Sequence, residues 1–189
     1  MSGMDSREKN VAEAANLVFL RYGVKRASMG DIAQEAGVAR QTLYNIYANK
    51  DDVLRGTLQY FRETTEAAMD ATLPGLATLD AKLAFVFEET VAKPFLVLHS
   101  SPNADDLVAG YNDTGRAEME ATAHAVRVRL TSIFEPHEAA LAQHGLTPAI
   151  AAECLQKASK AYKYDAHDEA HLRALLDGLI KFALSSVAD

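Results

Sequence analysis

Along most of this chain, apolar residues recur at intervals of three and four positions, which is the period of an α-helix. The first such stretch predicts a helix from about Ser6 to Tyr22, with an inward face formed by Val11, Ala14, Ala15, Val18, Phe19 and Tyr22. Gly23 follows directly and favours the end of that helix. Strand patterns are scarce, because alanine, leucine, glutamate and lysine dominate the composition and favour helix. We therefore predict an all-α fold of about nine helices.

Two short helices joined by a glycine-containing turn are predicted to follow. Ser28 stands where a side-chain oxygen would cap a helix, and Asp31 three residues later fits a capping box. The second helix is predicted from Met29 to Ala36, and Gly37 permits a tight turn after it. A third helix is predicted from Ala39 to about Tyr47. This helix-turn-helix pattern is typical of proteins that place the second helix of the pair in the major groove of DNA.

The third helix is predicted to expose side chains that suit contact with DNA. With Val38 and Leu43 facing inward, the outward residues are Arg40, Gln41, Thr42, Tyr44 and Asn45. Arginine makes two hydrogen bonds to guanine and glutamine makes two to adenine. Lys50, at the start of a fourth helix, offers charge and backbone amides to a phosphate, and the Ser28 hydroxyl offers a further phosphate contact. The alternatives are that Arg40 and Gln41 are merely solvated, that Tyr44 only packs against the protein and that Ser28 is only a helix cap.

The rest of the chain is also predicted to be helical. The fourth helix extends from about Lys50 towards Leu73, where Pro74 and Gly75 break it. Pro94 is expected to kink or end the next helix. Pro136 is expected to interrupt a later one. Further helices are predicted at about Leu79–Val97, Asp105–Tyr111, Arg116–His144, Pro148–Tyr162 and over the regular apolar stripe from Leu172 to Leu184.

Charge is distributed unevenly along the chain. The net charge is −7, yet residues 21–50 carry five basic side chains against two acidic ones. A basic patch on an acidic body suits a small DNA-reading domain joined to a body with another role. The polar N-terminus lacks the pattern of a signal peptide, no apolar run reaches the length of a membrane span, and a single cysteine excludes an intramolecular disulfide. We expect a cytoplasmic protein with no membrane partner.

The segment from Ser28 to Leu54 resembles the DNA-binding domain of TetR-family transcriptional regulators. The elements that carry this resemblance are Ile32-Ala33, the turn Ala36-Gly37-Val38, the triplet Thr42-Leu43-Tyr44, the aromatic Tyr47, Lys50 and Leu54. The first helix, ending in Tyr22-Gly23, fits as well. The chain departs from the family pattern at Tyr47, where phenylalanine is commoner, at Ile46, where a polar residue is usual, and at Ala39, which provides no side-chain cap.

The resemblance implies a DNA-binding domain over residues 1–50 and a helical effector-binding and dimerisation domain over residues 51–189. It further implies a homodimeric repressor that a small, largely apolar effector releases from a palindromic operator in double-stranded DNA. The dimer interface is expected to include Leu155, Leu172, Leu175, Leu176, Leu179, Ile180 and Ala183. Apolar faces on the last two helices support this, although both could belong to the core of one chain.

Helical bundles bind small molecules between helices, in mostly apolar sites. Candidate pocket residues are Phe87, Val91, Phe95, His99, Tyr111, Met119 and His124, with core packing as the default alternative. Asp105, Asp106 and Asp113 are expected to be solvated, and Cys154 to be a small core residue.

Other classes of function have little support in the sequence. His167 and His171 share a helical face at a metal-binding spacing, but no third ligand is fixed. We therefore predict no catalytic residues, no metal site, no cofactor and no enzymatic activity. The alternative functions are a helical small-molecule carrier and a metal-dependent protein without a DNA role.

Overall fold

The computed structural model describes residues 3–187, except for the side chain of Asn112, and within that range it contains nine helices and no strand. Their bounds are α1 Ser6–Arg26, α2 Met29–Glu35, α3 Arg40–Ile46, α4 Lys50–Thr72, α5 79–99, α6 Ala104–Asp113, α7 116–143, α8 Pro148–Asp165 and α9 Glu169–Ser185. The all-α prediction and its count of helices are confirmed. None of these helices is long and apolar enough to span a membrane.

The helix ends are set by local sequence. Asp5 caps α1 in a full capping box, because its carboxylate accepts from the amides of Arg7 and Glu8 at 2.7 and 2.9 Å. At the end of α7, Gly145 has a φ of 70° and donates to the carbonyl of Ala142. Such a left-handed residue is a common helix terminator. Capping residues and glycines therefore divide the chain into helices much as the sequence predicts.

Of the two outcomes expected at Pro94, a kink or an end of the helix, the structure shows no end, because α5 continues to His99. A proline lacks the amide hydrogen that would bond the carbonyl four residues earlier, and its ring crowds that carbonyl. Here the turn immediately before it, Glu88–Ala92, is a π-helical segment within α5. The wider π turn changes the local hydrogen-bond register, so the helix accommodates the proline. In α7 the expected interruption near Pro136 is a single 3₁₀ turn, Glu135–His137.

The chain packs into two compact units, each with its own core. The N-terminal unit contains the chain up to Thr64 together with Val97–Ala121, and the C-terminal unit contains Thr65–Leu96 with residues from Thr122 onward. Neither limit falls at residue 50, because a later segment packs with the first three helices. The functional division at residue 50 stays a prediction.

The two cores are built from different helices. In the N-terminal unit, α1, α2, α3 and α4 enclose Val11, Val18, Phe19, Ile32, Leu43 and Leu54, and α6 adds Leu107. In the C-terminal unit, α5, α7 and α9 enclose Leu83, Phe87, Phe95, Leu130, Phe134 and Leu172. The helix-turn-helix is therefore supported by α1 on one side and by residues far along the chain on another.

The apolar stripe of α9 lies mostly inside the C-terminal unit. Five of the predicted interface residues are buried in its core, namely Leu155, Leu172, Leu176, Ile180 and Ala183, while Leu175 and Leu179 are half-buried against it. A side chain enclosed within one chain supports a dimer only indirectly. The outer faces of α8 and α9 instead expose Ile150 and Phe182, whose exposed fractions are 47% and 77%. The dimer interface stays a prediction, with these outer faces as the surface available for it.

Candidate nucleic-acid interface

The second helix begins at a reciprocal cap. The amide of Asp31 donates to the Ser28 hydroxyl oxygen at 3.2 Å, and the Asp31 carboxylate accepts from the Ser28 amide at 3.0 Å and from its hydroxyl at 2.6 Å. These hydrogen bonds from Ser28 lower the pKa of Asp31 below its usual value. The capping role of Ser28 is confirmed, and its hydroxyl hydrogen is already donated within the protein.

The turn between α2 and α3 has the geometry of a glycine-terminated helix. Gly37 has a φ of 66°, its amide donates to the Gln34 carbonyl at 3.2 Å, and the Val38 amide donates to the Ala33 carbonyl at 3.0 Å. This pair of bonds is the Schellman motif, which requires a residue that tolerates positive φ. The Asn10 side chain donates to the Ala36 carbonyl at 2.9 Å and so ties α1 to the turn.

The third helix has one buried face and one exposed face. Leu43 is fully buried in the N-terminal core, whereas Gln41 and Asn45 are exposed and Tyr44 is 50% exposed. The Gln41 amide nitrogen donates to the Asn45 side-chain oxygen at 3.1 Å. This bond holds two polar side chains together on the outward face and leaves the second Gln41 amide hydrogen free to donate.

Arg40 is exposed but is not extended into solvent. Its guanidinium lies over Gly30 of α2, where a β-carbon would stand 2.5 Å from a terminal guanidinium nitrogen. Its neighbour Thr42 is half-buried and borders an open cavity of about 460 Å³ that Arg7, Asn10 and Ala39 also line. Ala39, at the cap position of α3, makes no side-chain capping bond, as the sequence indicates.

Lys50 has an internal role that the sequence does not reveal. Its ammonium donates to the carbonyls of Lys25 and Ala27 at 3.1 and 3.0 Å. These carbonyls lie where the chain leaves α1, and a cation there satisfies acceptors that have no partner within the helix. Two of its three N–H donors are therefore used, and one is left for a phosphate.

Most of the predicted basic patch is engaged in holding the N-terminal unit together. Arg21 pairs with Glu35 at 3.2 Å, Lys25 pairs with Asp106 at 3.6 Å, and Arg26 donates to Asn103 at 2.8 Å. With Lys50 on backbone carbonyls, Arg40 is the one member of the patch with no hydrogen bond or ion pair to residues 3–187. The charge that is free to meet a ligand is thus concentrated on α3.

The family model for bacterial regulatory proteins of the tetR family matches residues 11–57, the segment that forms α1, the helix-turn-helix and the start of α4. Over residues 11–57 the chain is thus similar to the tetR family of bacterial regulatory proteins. It is 32% identical over 119 residues to the HTH-type transcriptional repressor LfrR of Mycolicibacterium smegmatis, an alignment that covers 60% of this chain and 62% of LfrR. It is 31% identical over 72 residues to the HTH-type transcriptional regulator YhgD of Bacillus subtilis, covering 36% of this chain and 38% of YhgD. The chain thus spans less than two thirds of either relative.

Solved structures share the fold over nearly the whole chain. A TetR transcription regulator from Haloarcula marismortui superposes with a TM-score of 0.74, at 16% identity over 96% of this chain and 98% of that one. The transcriptional regulator FadR from Bacillus subtilis, in complex with stearoyl-CoA, superposes with a TM-score of 0.61, at 21% identity over 95% of this chain and 98% of that one. At these identities the likeness establishes the fold alone.

A further polar contact with α1 comes from a segment that the sequence does not single out. The Asn103 side chain donates to the carbonyls of Leu20 and Arg21 at 3.2 and 3.1 Å. Asp106 accepts from the Lys25 amide at 3.0 Å, so the expectation that Asp106 is solvated is wrong. Gly23, with a φ of 79°, breaks the helical path of α1 beside this contact. Nothing in the local pattern around Asn103 indicates a partner some 80 positions earlier.

The predicted effector-pocket residues fall in both units. Phe87, Val91 and Phe95 are buried in the core of the C-terminal unit, where His124 is exposed. The others, His99, Tyr111 and Met119, belong to the N-terminal unit. Burial raises the pKa of Tyr111 to about 12. The pocket stays a prediction, and its best-placed candidates are the three buried residues of α5.

Two other sequence-based expectations concern reactive side chains of the C-terminal unit. Cys154 is exposed and is therefore not a core residue. The rings of His167 and His171 lie 4.1 Å apart between centroids, close to Asp168. Within residues 3–187, no group of three or more potential ligands has metal-binding geometry.

Proposed function

We propose that this protein is a sequence-specific DNA-binding repressor that acts as a homodimer and is released from its operator by a small molecule. The observation that carries this proposal is the division of α3 into two faces. Leu43 anchors the helix to the core, while Arg40, Gln41 and Asn45 stand together on the outward side. An α-helix fits the major groove of B-form DNA, and these side-chain types read base edges there.

The chemistry of α3 supports recognition of specific bases. Gln41 uses one amide hydrogen on Asn45 and keeps its second hydrogen and its oxygen for adenine N7 and N6. The guanidinium of Arg40 has only to leave Gly30 to reach guanine O6 and N7. Tyr44, Thr42 and the remaining donor of Lys50 supply phosphate contacts that fix the position of the helix without reading sequence.

Repression and release by an effector rest on the relatives together with the packing of the C-terminal unit. LfrR is named as a repressor, and FadR binds stearoyl-CoA, a molecule with a long apolar chain. The C-terminal unit has a wholly helical, largely apolar core around Phe87, Val91 and Phe95. An effector that binds one conformation of this unit better than another shifts the population of DNA-competent dimers.

The homodimer is proposed to form through the outer faces of α8 and α9. Phe182 is the most exposed large apolar side chain among the described residues, and Ile150 is also exposed on the neighbouring helix. Large apolar side chains that stay exposed on adjacent helices are typical of a surface that a partner covers. Two DNA-binding domains related by a twofold axis then read a palindrome with half-sites one helical turn apart, or a multiple of that spacing.

Selection from random duplex DNA with the full-length protein tests this proposal, followed by gel-shift assays at two salt concentrations. We expect a palindromic consensus whose affinity falls as salt rises. Arg40→Ala should lower consensus affinity by about 1–3 kcal/mol and relax base preference at one position of each half-site. The matched control Arg127→Ala, in the C-terminal unit, should bind as the native protein does. Enrichment of no sequence, or equal affinity of the two arginine variants, would contradict the proposal.

A further inference from the structure

The inward face of α8 carries a line of polar side chains. Gln156 and Ser159 are buried, and Lys163 follows at the next position on the same face. The spacing of three and then four residues keeps all three side chains on one side of a helix. Ala152 and Ala166, which lie four residues before Gln156 and three after Lys163, are core residues of the C-terminal unit. The polar line therefore interrupts an otherwise apolar face.

Lys163 is half-buried and forms no ion pair with an acidic residue among residues 3–187. It forms no ion pair or hydrogen bond with any residue in 3–187, and its ammonium lies 5.2 Å from the centroid of the Tyr164 ring. Burial, and secondarily the charge of Lys160, lowers the pKa of Lys163 to about 8. Buried ammonium groups in proteins are normally paired, because an isolated charge in an apolar setting is unfavourable. A half-buried ammonium that forms no ion pair with residues 3–187, on a line with a buried amide and a buried hydroxyl, indicates a place for an anion.

The neighbouring carboxylates are committed elsewhere. The helix α8 packs against the π-helical segment Glu88–Ala92 of α5, and such segments occur frequently at functional sites. In that segment Glu88 pairs with Arg173 at 3.0 Å, and Glu89 pairs with Lys93. Both carboxylates of that segment thus already have basic partners. The Gln156 side-chain amide is likewise without a hydrogen-bond partner in residues 3–187.

We propose that Gln156, Ser159 and Lys163 bind the carboxylate of an otherwise apolar acidic effector in the C-terminal unit. The ammonium neutralises a single negative charge, and the Gln156 amide donates to a carboxylate oxygen. The Ser159 hydroxyl, which donates to the Gln156 carbonyl at 3.2 Å, can rotate to donate to the ligand instead. The surrounding core residues Val91 and Leu155 suit an aliphatic tail. This inference depends on the function proposed above only in calling the bound molecule an effector.

Calorimetric titration of the full-length protein with octanoate, decanoate and dodecanoate, each beside its matched alcohol, tests the proposal. We expect at least one acid to bind about tenfold tighter than its alcohol, since a hydrogen-bonded charge contributes that much. Lys163→Met keeps the length of the side chain and removes its charge, so it should bind acid and alcohol about equally. Lys160→Met is the matched control, because Lys160 is an exposed neighbour on α8, and it should keep the preference.

Circular dichroism and thermal melting establish that each variant is folded. Lys163→Gln provides a second neutral variant should the methionine variant melt early, and it should lose the acid preference in the same way. The proposal is overturned if no acid of the series binds, if acid and alcohol bind the native protein equally, or if both neutral variants keep the preference. Gel-shift assays with the selected operator separate the two proposals, because specific DNA binding without carboxylate binding overturns this one alone.

Discussion

The phenol ring of Tyr47 lies against Gly56 so closely that a β-carbon at Gly56 would stand 2.6 Å from two of the ring carbons. The glycine makes room for the ring where α3 ends and α4 passes it. The Tyr47 hydroxyl is buried and has no hydrogen-bond partner within residues 3–187. Burial, with smaller contributions from Glu8, Asp5 and Glu63, raises the pKa of Tyr47 to about 12. The structure therefore has space for the Tyr47 ring but no hydrogen-bond partner for its hydroxyl within residues 3–187.

Replacing Tyr47 by phenylalanine should stabilise the protein. A buried hydroxyl without a partner costs about 1–3 kcal/mol, and Tyr47→Phe removes it while keeping the ring. We expect urea unfolding to show a free energy of unfolding higher by about 1 kcal/mol, with operator affinity unchanged. The matched control is Tyr44→Phe, whose hydroxyl belongs to a half-exposed side chain on the outward face. It should leave stability within about 0.5 kcal/mol and weaken DNA binding. A gain in stability from Tyr44→Phe, together with weaker DNA binding by Tyr47→Phe, would contradict this prediction.

The contact between Asn103 and the end of α1 should contribute measurably to stability. Asn103→Ala removes two donors to backbone carbonyls and the acceptor for Arg26. We expect a loss of about 1 kcal/mol in the free energy of unfolding, because the bond to the Leu20 carbonyl is partly buried while the bond to the Arg21 carbonyl is exposed. Asp105→Ala, two residues away and exposed, should change stability by less than about 0.5 kcal/mol. Equal effects of the two substitutions in chemical denaturation would mean that the contact contributes nothing specific.

The exposed ring of Phe182 should report on dimer formation. Phe182→Glu places a charge on the outer face of α9, where we propose that a second copy packs. Sedimentation velocity should show a shift from dimer to monomer, with a helical far-ultraviolet spectrum retained. Leu17→Glu, an exposed leucine of α1 in the N-terminal unit, should remain dimeric. A native protein that sediments as a monomer, or a Phe182→Glu variant that stays dimeric, would contradict this prediction.

The stability of the native protein should depend on Lys163 in a defined pH range. Because its pKa is about 8 in the folded chain and about 10.5 in the unfolded chain, the unfolded state holds more protons between these values. Stability therefore rises with pH across that window, by on the order of 1 kcal/mol between pH 7 and pH 9. Urea unfolding of native protein and Lys163→Met at both pH values should show that only the native protein gains. An equal gain in both proteins would assign the effect to other groups.

Local signals in the sequence account for most of the fold. Helix starts at Ser28 and Pro148 follow from caps that act within one turn, and the turn at Gly37 follows from a conformation that glycine adopts easily. The outward face of α3 is likewise predictable, because Leu43 fixes which side is inward. Such features depend on neighbours a few positions away, so periodicity and capping rules are sufficient to find them.

The remaining features depend on contacts between distant positions. Lys50 bonding the carbonyls of Lys25 and Ala27, and Asp106 bonding the Lys25 amide, leave no mark in the local pattern. The apolar stripe of α9 shows a second limit of sequence-based prediction. An apolar helix face predicts burial, but it does not indicate whether the same chain or a partner covers it. The π-helical segment before Pro94 is a third, since the proline rule anticipates a kink or an end of the helix and does not predict a π-helical turn ahead of the proline.

The discontinuous N-terminal unit also determines which pieces of this protein can be studied alone. A fragment ending at Thr64 keeps the helix-turn-helix but loses Ser101, Asn103, Asp106 and Leu107. The carbonyls of Leu20 and Arg21 would then face water, and the apolar surface that Leu107 covers would be open. Truncated reagents for footprinting or spectroscopy should accordingly keep the chain at least through residue 121, where the last stretch that completes this half of the molecule ends.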